Sequence, residues 1–244
     1  MDVPGLPDAI APLCDGARRV DAVARDAGTR SGRRSGGARL RHMSGTPFVR
    51  YLPANGYRRL RWRNGTGWTR EIHAAAAGQA APEAWDWRLS IAEIEADGPY
   101  SAFPGVEREQ VLLSGAGLHL DFGAGGERRL EPPHGRQRFG GGLPLEARLQ
   151  SGRVEVFNLM WRPERVAATL WHRPLVGSML LFAEPGSTWA VHLMAGRATV
   201  AGGGEGPLLE AGDTALLAGG GQRQRCLVEG GGELLLVRVD ARAQ

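Results

Sequence analysis

The densest group of polar and aromatic side chains lies in residues 61–72, which read Arg-Trp-Arg-Asn-Gly-Thr-Gly-Trp-Thr-Arg-Glu-Ile. Gly65 and Gly67 allow a left-handed backbone and close chain approach, so the flanking groups can turn toward one small volume. Arginine forks bind carboxylates, and neighbouring amide and hydroxyl groups can complete such a site. The segment therefore predicts a binding site for a small anion.

Three further segments have the same mixed character. They read Trp-Asp-Trp-Arg-Leu-Ser-Ile-Ala-Glu-Ile at 85–94, Asp-Gly-Pro-Tyr-Ser-Ala-Phe-Pro-Gly at 97–105 and Val-Phe-Asn-Leu-Met-Trp-Arg at 156–162. Taken in order with residues 61–72, they resemble the conserved blocks of the HutD/Ves family of bacterial bicupin proteins. Two places depart from the family pattern. Val156 stands where an aspartate is usual, and residues 139–142 read Phe-Gly-Gly-Gly where the family usually has Phe-Asp-Gly-Asp.

The resemblance implies an all-β bicupin, which consists of two cupin-like (RmlC-like jelly-roll) β-barrels that arose by internal duplication. We expect a disordered N-terminal extension over residues 1–43, a first lobe over 44–165 and a second over 166–244, the two lobes forming one compact unit. The 37 glycines and 15 prolines suit many short strands joined by tight turns. Similar segments around Val111 and Val191, and around Gly152 and Gly232, lie 80 residues apart in each case, which favours a duplication.

Alternation of side chains predicts a strand over residues 87–92. Arg88 and Ser90 share one face of it, whereas Trp87, Leu89 and Ile91 share the other. A polar pocket results only if the first of these faces points inward, and the sequence leaves both orientations open.

Charge and composition argue against several classes of partner. The net charge of +4 comes from the first 50 residues, which hold nine arginines and five aspartates, while the rest of the chain is balanced. Residues 57–63 interleave aromatic rings with arginine, as single-strand nucleic-acid platforms do, but we favour a short helical turn with solvated arginines. We therefore expect no nucleic-acid partner. An apolar run long enough for a membrane span and a secretory signal are both lacking, so we expect a cytoplasmic protein without a membrane partner.

A metal site of the cupin type would need a His-x-His pair followed by a nearby carboxylate. The six histidines stand at positions 42, 73, 119, 134, 172 and 192, and no two of them are separated by a single residue. His119, with Asp121 close by, comes nearest to the pattern. We therefore predict no intrinsic metal and no cofactor.

The candidate binding residues combine guanidinium, amide, hydroxyl and carboxylate groups. They are Asn64, Trp68, Thr69, Arg70, Glu71, Arg88, Ser90, Glu93, His119, Asn158 and Arg162. In the competing interpretation, Arg70 pairs with Glu71 or Glu93 and Arg88 pairs with Asp86, and these pairs only hold strands together.

The leading functional hypothesis is a regulator or sensor that binds a small anionic metabolite. The resemblance links it to histidine utilisation or stress response, with a formylated or formiminated glutamate as one candidate ligand. The first alternative is a metal-independent isomerase or hydrolase, with Glu71 or Glu93 as base and His119 as acid. The second is a structural or partner-binding β protein that forms a homodimer through exposed strand edges.

Overall fold

A computed structural model describes residues 49–75, 85–202 and 204–242, all within the compact unit formed by residues 47–244. The described residues form 16 strands and two short 3₁₀ turns, and they confirm the all-β class. The first eight strands are β1 (Val49–Leu52), β2 (Arg58–Arg61), β3 (Gly67–Ala75), β4 (Trp87–Ile94), β5 (Gly98–Pro99), β6 (Glu107–Ser114), β7 (Leu118–Asp121) and β8 (Glu127–Leu130). The others are β9 (Arg136–Gly140), β10 (Glu146–Leu149), β11 (Val154–Trp161), β12 (Val166–Ala183), β13 (Ser187–Ala201), β14 (Leu208–Glu210), β15 (Thr214–Ala218) and β16 (Gln224–Ala241).

The 3₁₀ turns span Ala54–Gly56 and Gly123–Gly125. In the part of the chain that is described, no helix has the length and apolar character needed to cross a bilayer. The predicted disordered extension, residues 1–43, lies outside the described residues.

The strands pair into three antiparallel sheets. The central sheet has the order β2-β3-β4-β11-β6-β9, and the outer sheet has the order β5-β10-β7-β8. The C-terminal sheet has the order β1-β15-β13-β16-β12, with β14 added beside β13. Thus β1, which precedes the central sheet in the chain, pairs with β15 of the C-terminal sheet. Over the described ranges all three sheets are open, so the two closed barrels and the duplication stay predictions.

The central sheet is covered on both of its faces. Its first face packs against the outer sheet, in a cluster that includes Ala92, Ile94 and Val156 from one side and Leu118 and Leu120 from the other. The second face packs against the C-terminal sheet, in a cluster that includes Trp87, Leu89, Ile91, Phe157, Leu170, Leu235 and Val237. Because Arg88 and Ser90 alternate with Leu89 and Ile91, they lie on the first face, toward the outer sheet.

Residues 57–63 do not form the expected helical turn. Arg58–Arg61 is the edge strand β2, which pairs with β3 so that Arg59 lies opposite Arg70. The guanidinium groups of Arg59 and Arg61 lie 4.1 and 4.8 Å from the centre of the Trp68 ring. The arginines of β2 therefore stack on an aromatic ring of the neighbouring strand β3.

A buried carboxylate fastens β1 and the following turn to the C-terminal sheet. Asp213 accepts hydrogen bonds from the hydroxyl of Tyr51 at 2.7 Å and from the backbone N–H of Ala54 at 2.8 Å. Burial raises the pKa of Asp213, but its hydrogen bonds from the backbone and from Tyr51 outweigh burial and lower the pKa overall.

His192 lies beside this connection and is fully enclosed. Its Nδ1 is 3.0 Å from Oγ1 of Thr214, which is also 2.8 Å from the hydroxyl of Tyr57. Burial lowers the pKa of His192 to about 4, and the positive charge of Arg70 adds to the shift. Burial likewise lowers the pKa of His73 to about 4. Both imidazoles are therefore neutral in the folded protein at pH 6.

We predict that the free energy of unfolding falls as the pH is lowered from about 6.5 to about 4. In that window an unfolded histidine binds a proton while the folded His192 stays neutral, so the unfolded state takes up more protons and is favoured. His192 alone contributes about 2–3 kcal/mol of this loss. Chemical unfolding of the wild type and of His192→Asn at pH 7 and 4.5 measures it. An equally steep loss in both proteins would contradict the assignment to His192.

Candidate functional site

The central sheet divides the predicted binding residues between its two faces. Ser90 on β4 lies opposite Glu71 on β3 and Asn158 on β11, so these side chains share the first face with Arg88. Arg70 lies opposite Ile91, and Glu93 is three residues beyond Ser90, so both belong to the second face. The predicted set therefore does not form one pocket.

On the second face, Glu93 gathers arginines into an ion-pair cluster. Its side chain is buried, and its carboxylate contacts Arg59 at 2.5 Å, Arg70 at 2.8 Å and Arg153 at 4.0 Å. Burial raises the pKa of Glu93, but the hydrogen bond and charge of Arg59 and the charges of the other two arginines lower it overall. Arg70 also pairs with Glu155 at 3.0 Å. The interpretation in which Arg70 is neutralised by Glu93 is thus confirmed.

The other predicted residues have separate local roles. Nε of Arg88 is 2.9 Å from Oε2 of Glu71, so this arginine also has an acid beside it. Oδ1 of Asn64 accepts hydrogen bonds from the backbone N–H and hydroxyl of Thr66 in an exposed turn. The hydroxyl of Thr69 accepts a hydrogen bond from Nε1 of Trp62 at 2.8 Å.

His119 and Arg162 lie apart from the residues discussed so far. Leu118 and Leu120 point into the cluster beneath the outer sheet, so His119 faces the opposite way, and its Nδ1 is 2.8 Å from Oε1 of Glu127. Nε of Arg162 donates to the backbone oxygen of Trp85 at 3.1 Å. The structure therefore does not bring His119 together with Glu71 or Glu93.

Arg108, which was not among the predicted binding residues, holds the most unusual charge on the first face. Arg108 is only 7% exposed, and its Nη2 donates to Oδ1 of Asn158 at 3.1 Å. Its guanidinium lies 4.9, 5.4 and 5.8 Å from the ring centres of Tyr100, Phe139 and Phe103. Among the described residues, no carboxylate forms an ion pair with Arg108, and its buried Nε has no hydrogen-bond acceptor.

Burial lowers the pKa of Arg108 to about 10, because an enclosed cation is poorly solvated. Tyr100 opposes this shift, and the positive charge of Arg88 adds to it. Arg108 still carries its charge at neutral pH. The site therefore holds a cation that is largely removed from water.

Gln110 extends the polar group around Arg108. Its Nε2 donates to Oδ1 of Asn158 at 2.7 Å and approaches the hydroxyl of Tyr100 at 3.4 Å, while its buried Oε1 has no donor among the described side chains. Asn158 Oδ1 thus receives bonds from both Arg108 and Gln110. We call Arg108, Gln110, Asn158 and the rings of Tyr100, Phe103 and Phe139 the Arg108 site. It leaves one cationic donor and one amide oxygen unsatisfied, which suits a ligand with a carboxylate and an N–H group.

Two loops build the wall of the Arg108 site. The backbone N–H of Phe103 donates to the oxygen of Gly141 at 2.7 Å, and the N–H of Gly141 donates to the oxygen of Val106 at 2.6 Å. A Cβ atom at Gly141 would lie 3.0 Å from that Val106 oxygen and 3.3 Å from Cδ of Arg108. Glycine at this position therefore lets the second loop approach Arg108 closely.

Comparison with known proteins identifies the relatives of the chain. The HutD family model matches residues 54–236. An uncharacterized 21.2 kDa protein in the hutC 3′ region of Pseudomonas putida is 35% identical over 122 residues, which cover 50% of this chain and 63% of that relative. Protein Ves of Cronobacter sakazakii is 36% identical over 121 residues, which cover 49% of this chain and 61% of that protein. The match thus spans less than two thirds of both relatives.

A solved structure gives a longer match. The structure of HutD from Pseudomonas fluorescens SBW25 aligns with a TM-score of 0.69 at 30% identity, over 80% of this chain and 100% of that chain. The resemblance inferred from the four sequence blocks is therefore confirmed.

We predict that Glu93→Gln lowers the free energy of unfolding by about 2 kcal/mol, because it leaves several guanidinium groups without their buried counter-ion. Glu95→Gln is the matched control, since Glu95 pairs with Arg61 and both side chains are partly exposed. Its effect should stay within about 0.5 kcal/mol. Urea unfolding measures both, and equal losses would show that the Glu93 cluster does not stabilise the sheet.

We predict the opposite for Arg108→Met, which removes a buried cation and keeps a side chain of similar bulk. Its free energy of unfolding should equal that of the wild type or exceed it by up to about 2 kcal/mol. Arg70→Met, which breaks the pairs with Glu93 and Glu155, should be destabilised in the same assay. A clear loss of stability in Arg108→Met would mean that Arg108 serves the fold.

Proposed function

The chain belongs to the HutD family, and we propose that it binds a small carboxylate-bearing metabolite at Arg108, acting as a regulator or sensor. One observation carries this proposal: Arg108 is charged, nearly enclosed and without a carboxylate partner among the described residues. Enclosing a single charge costs several kcal/mol, which an unliganded site does not recover. A bound carboxylate would supply the missing counter-charge.

The chemistry of the Arg108 site indicates what else the ligand carries. A carboxylate can accept from the unpaired Nε of Arg108, and an N–H group can donate to the unpaired Oε1 of Gln110. A formylated or formiminated glutamate has both groups, and the resemblance to the family implied the same candidate. The relative encoded in a hutC 3′ region supports a link to histidine utilisation.

Three departures from the family pattern bear on the charge of the ligand. The resemblance places aspartates at positions 140, 142 and 156, where this chain has Gly140, Gly142 and Val156. Gly140 and Gly142 flank the glycine that packs against Arg108, and Val156 is buried on the same face as Asn158. We infer that fewer local acids leave more positive potential, so this chain selects a more anionic ligand than its relatives do.

The enzyme alternative needs a carboxylate and a histidine facing one cavity. Glu71 is on the first face of the central sheet, Glu93 is on the second, and His119 is on the outward side of the outer sheet. The proposed acid and bases thus do not face one another, which favours binding over catalysis by these residues.

The homodimer alternative has support in the C-terminal sheet. Its edge strand β12 carries three exposed apolar side chains, and Val176 is 91% exposed. The other two are Leu180 and Phe182. An uncovered edge with apolar side chains can pair with a second copy of the chain.

Calorimetric titration tests the binding proposal. We expect the wild type to bind one or more members of a panel of formate, glutamate, N-formylglutamate and formiminoglutamate, with glutamine as a member of lower net charge. Arg108→Gln should weaken binding by about 30-fold or more, because truncating one partner of a buried charge pair costs at least about 2 kcal/mol.

Arg138→Gln is the matched control for this titration. Arg138 lies on the neighbouring strand β9, is exposed and pairs with Glu107 at 3.2 Å. Its replacement should leave the affinity unchanged. The proposal fails if the wild type binds no member of the panel, or if the Arg108 and Arg138 variants bind equally well.

A further inference from the structure

We propose that a divalent transition-metal ion binds at the margin between the central and C-terminal sheets, held by His134, His172 and Glu233. The two imidazoles and the carboxylate offer ligand atoms that all lie within 4.8 Å of one another. Nε2 of His134 is 3.0 Å from Oε2 of Glu233, and Nε2 of His172 is 3.1 Å from the same oxygen. The site is separate from the Arg108 site, which is on the first face of the central sheet.

Three segments of the chain supply the ligands. His134 lies in the loop between β8 and β9, whereas His172 is on β12 and Glu233 is on the adjacent strand β16. In the register of these strands, Glu233 lies opposite Pro174, so it shares a face with His172. A metal site was not predicted from the sequence because the cupin pattern has ligands one residue apart, and this group has no such pair.

The hydrogen bonds of His134 fix the position of its proton. Nδ1 of His134 is 3.1 Å from the backbone oxygen of Leu112, and a carbonyl oxygen can only accept. Nδ1 therefore carries the proton, and in the neutral imidazole the lone pair of Nε2 points toward Oε2 of Glu233. A positive charge between these two atoms, carried by a second proton or by a metal ion, removes the repulsion between them.

A metal ion satisfies both imidazoles and the carboxylate together. In a tetrahedral zinc site the ligands lie about 2.0–2.2 Å from the ion, so ligand atoms are about 3.3 Å apart. The 3.0 and 3.1 Å separations from Glu233 are close to this value, while the three ligand atoms together span up to 4.8 Å, so a bound ion would draw the two imidazoles closer together. Metal-bound histidines commonly donate their other N–H to a backbone carbonyl, as His134 does to Leu112.

The backbone at His134 is held in an uncommon conformation. Its φ of 58° makes it the single non-glycine residue with positive φ in the described part of the chain. Both backbone groups of the neighbouring Gly135 are hydrogen-bonded. Its oxygen accepts from the N–H of Leu112 at 2.9 Å, and its N–H donates to the backbone oxygen of Glu131 at 2.7 Å. A strained conformation fixed by its surroundings is typical of residues that hold a ligand.

An open cleft of about 250 Å³ adjoins the proposed site. It is lined by Val111, His134, Arg136, Trp171, His172 and Arg173. Three protein ligands leave a fourth position for water or an exogenous group. Two arginines also line the cleft, Arg136, which pairs with Glu109 at 3.2 Å, and Arg173.

Metal titration of the chelator-treated full chain tests the proposal. We expect one Zn²⁺ bound per chain by calorimetry, a higher melting temperature with Zn²⁺, and the intense visible absorption of four-coordinate Co²⁺ when CoCl₂ is added. His134→Gln, His172→Gln and Glu233→Gln should each weaken Zn²⁺ binding about tenfold or more. Melting of the metal-free variants reports whether they fold.

His119→Gln is the matched control, because His119 and Glu127 form a similar histidine–carboxylate contact outside the cluster. It should bind Zn²⁺ as the wild type does, and Arg108→Gln should also do so because it lies on the other face. The proposal is overturned if the wild type binds no Zn²⁺, or if His119→Gln weakens binding as much as the three ligand variants. Loss of carboxylate binding alone would leave the metal site standing.

Discussion

A guanidinium taken out of water needs a negative partner, and Arg108 has none among the described residues. Contacts with the rings of Tyr100, Phe103 and Phe139 recover only part of the cost, at about 0.5–2 kcal/mol each, and Asn158 offers a neutral oxygen. A fold does not gain stability by enclosing such a charge. The proposed carboxylate ligand rests on this position of Arg108.

The central sheet makes this arrangement possible because it is buried on both faces. On its second face, Arg59 and Arg70 both pair with Glu93. On its first face, Arg88 pairs with Glu71. Met160 lies between Arg88 and Arg108 in the strand register, and Arg108 contacts neutral side chains. The two faces of one sheet thus differ, because the arginines near Glu93 are paired with acids and Arg108 has no acidic partner among the described residues.

The sequence was sufficient to predict the all-β class and the strand over residues 87–92, because apolar and polar side chains alternate there with the two-residue period of a β-strand. It could not orient that strand, since the rule that the apolar face is buried fails when both faces are covered. Alternation could have separated Arg70 from Arg88, had the pairing of β3 with β4 been known. Arg108 was hidden because Glu107 and Glu109 flank it and make the segment look solvated. His134 and Glu233 lie 99 residues apart in the sequence, so their spacing did not predict that the two side chains would be close in space.

A crystal structure of the protein soaked with 4-bromobenzoate, whose aryl bromine is chemically inert, shows whether Arg108 binds a carboxylate. Anomalous scattering locates the bromine without assumptions about the ligand. We expect a bromine peak beside the Arg108 guanidinium, within the length of the bound molecule, and no such peak in Arg108→Gln crystals. Peaks found only beside exposed arginines such as Arg138, with none at Arg108, would contradict it.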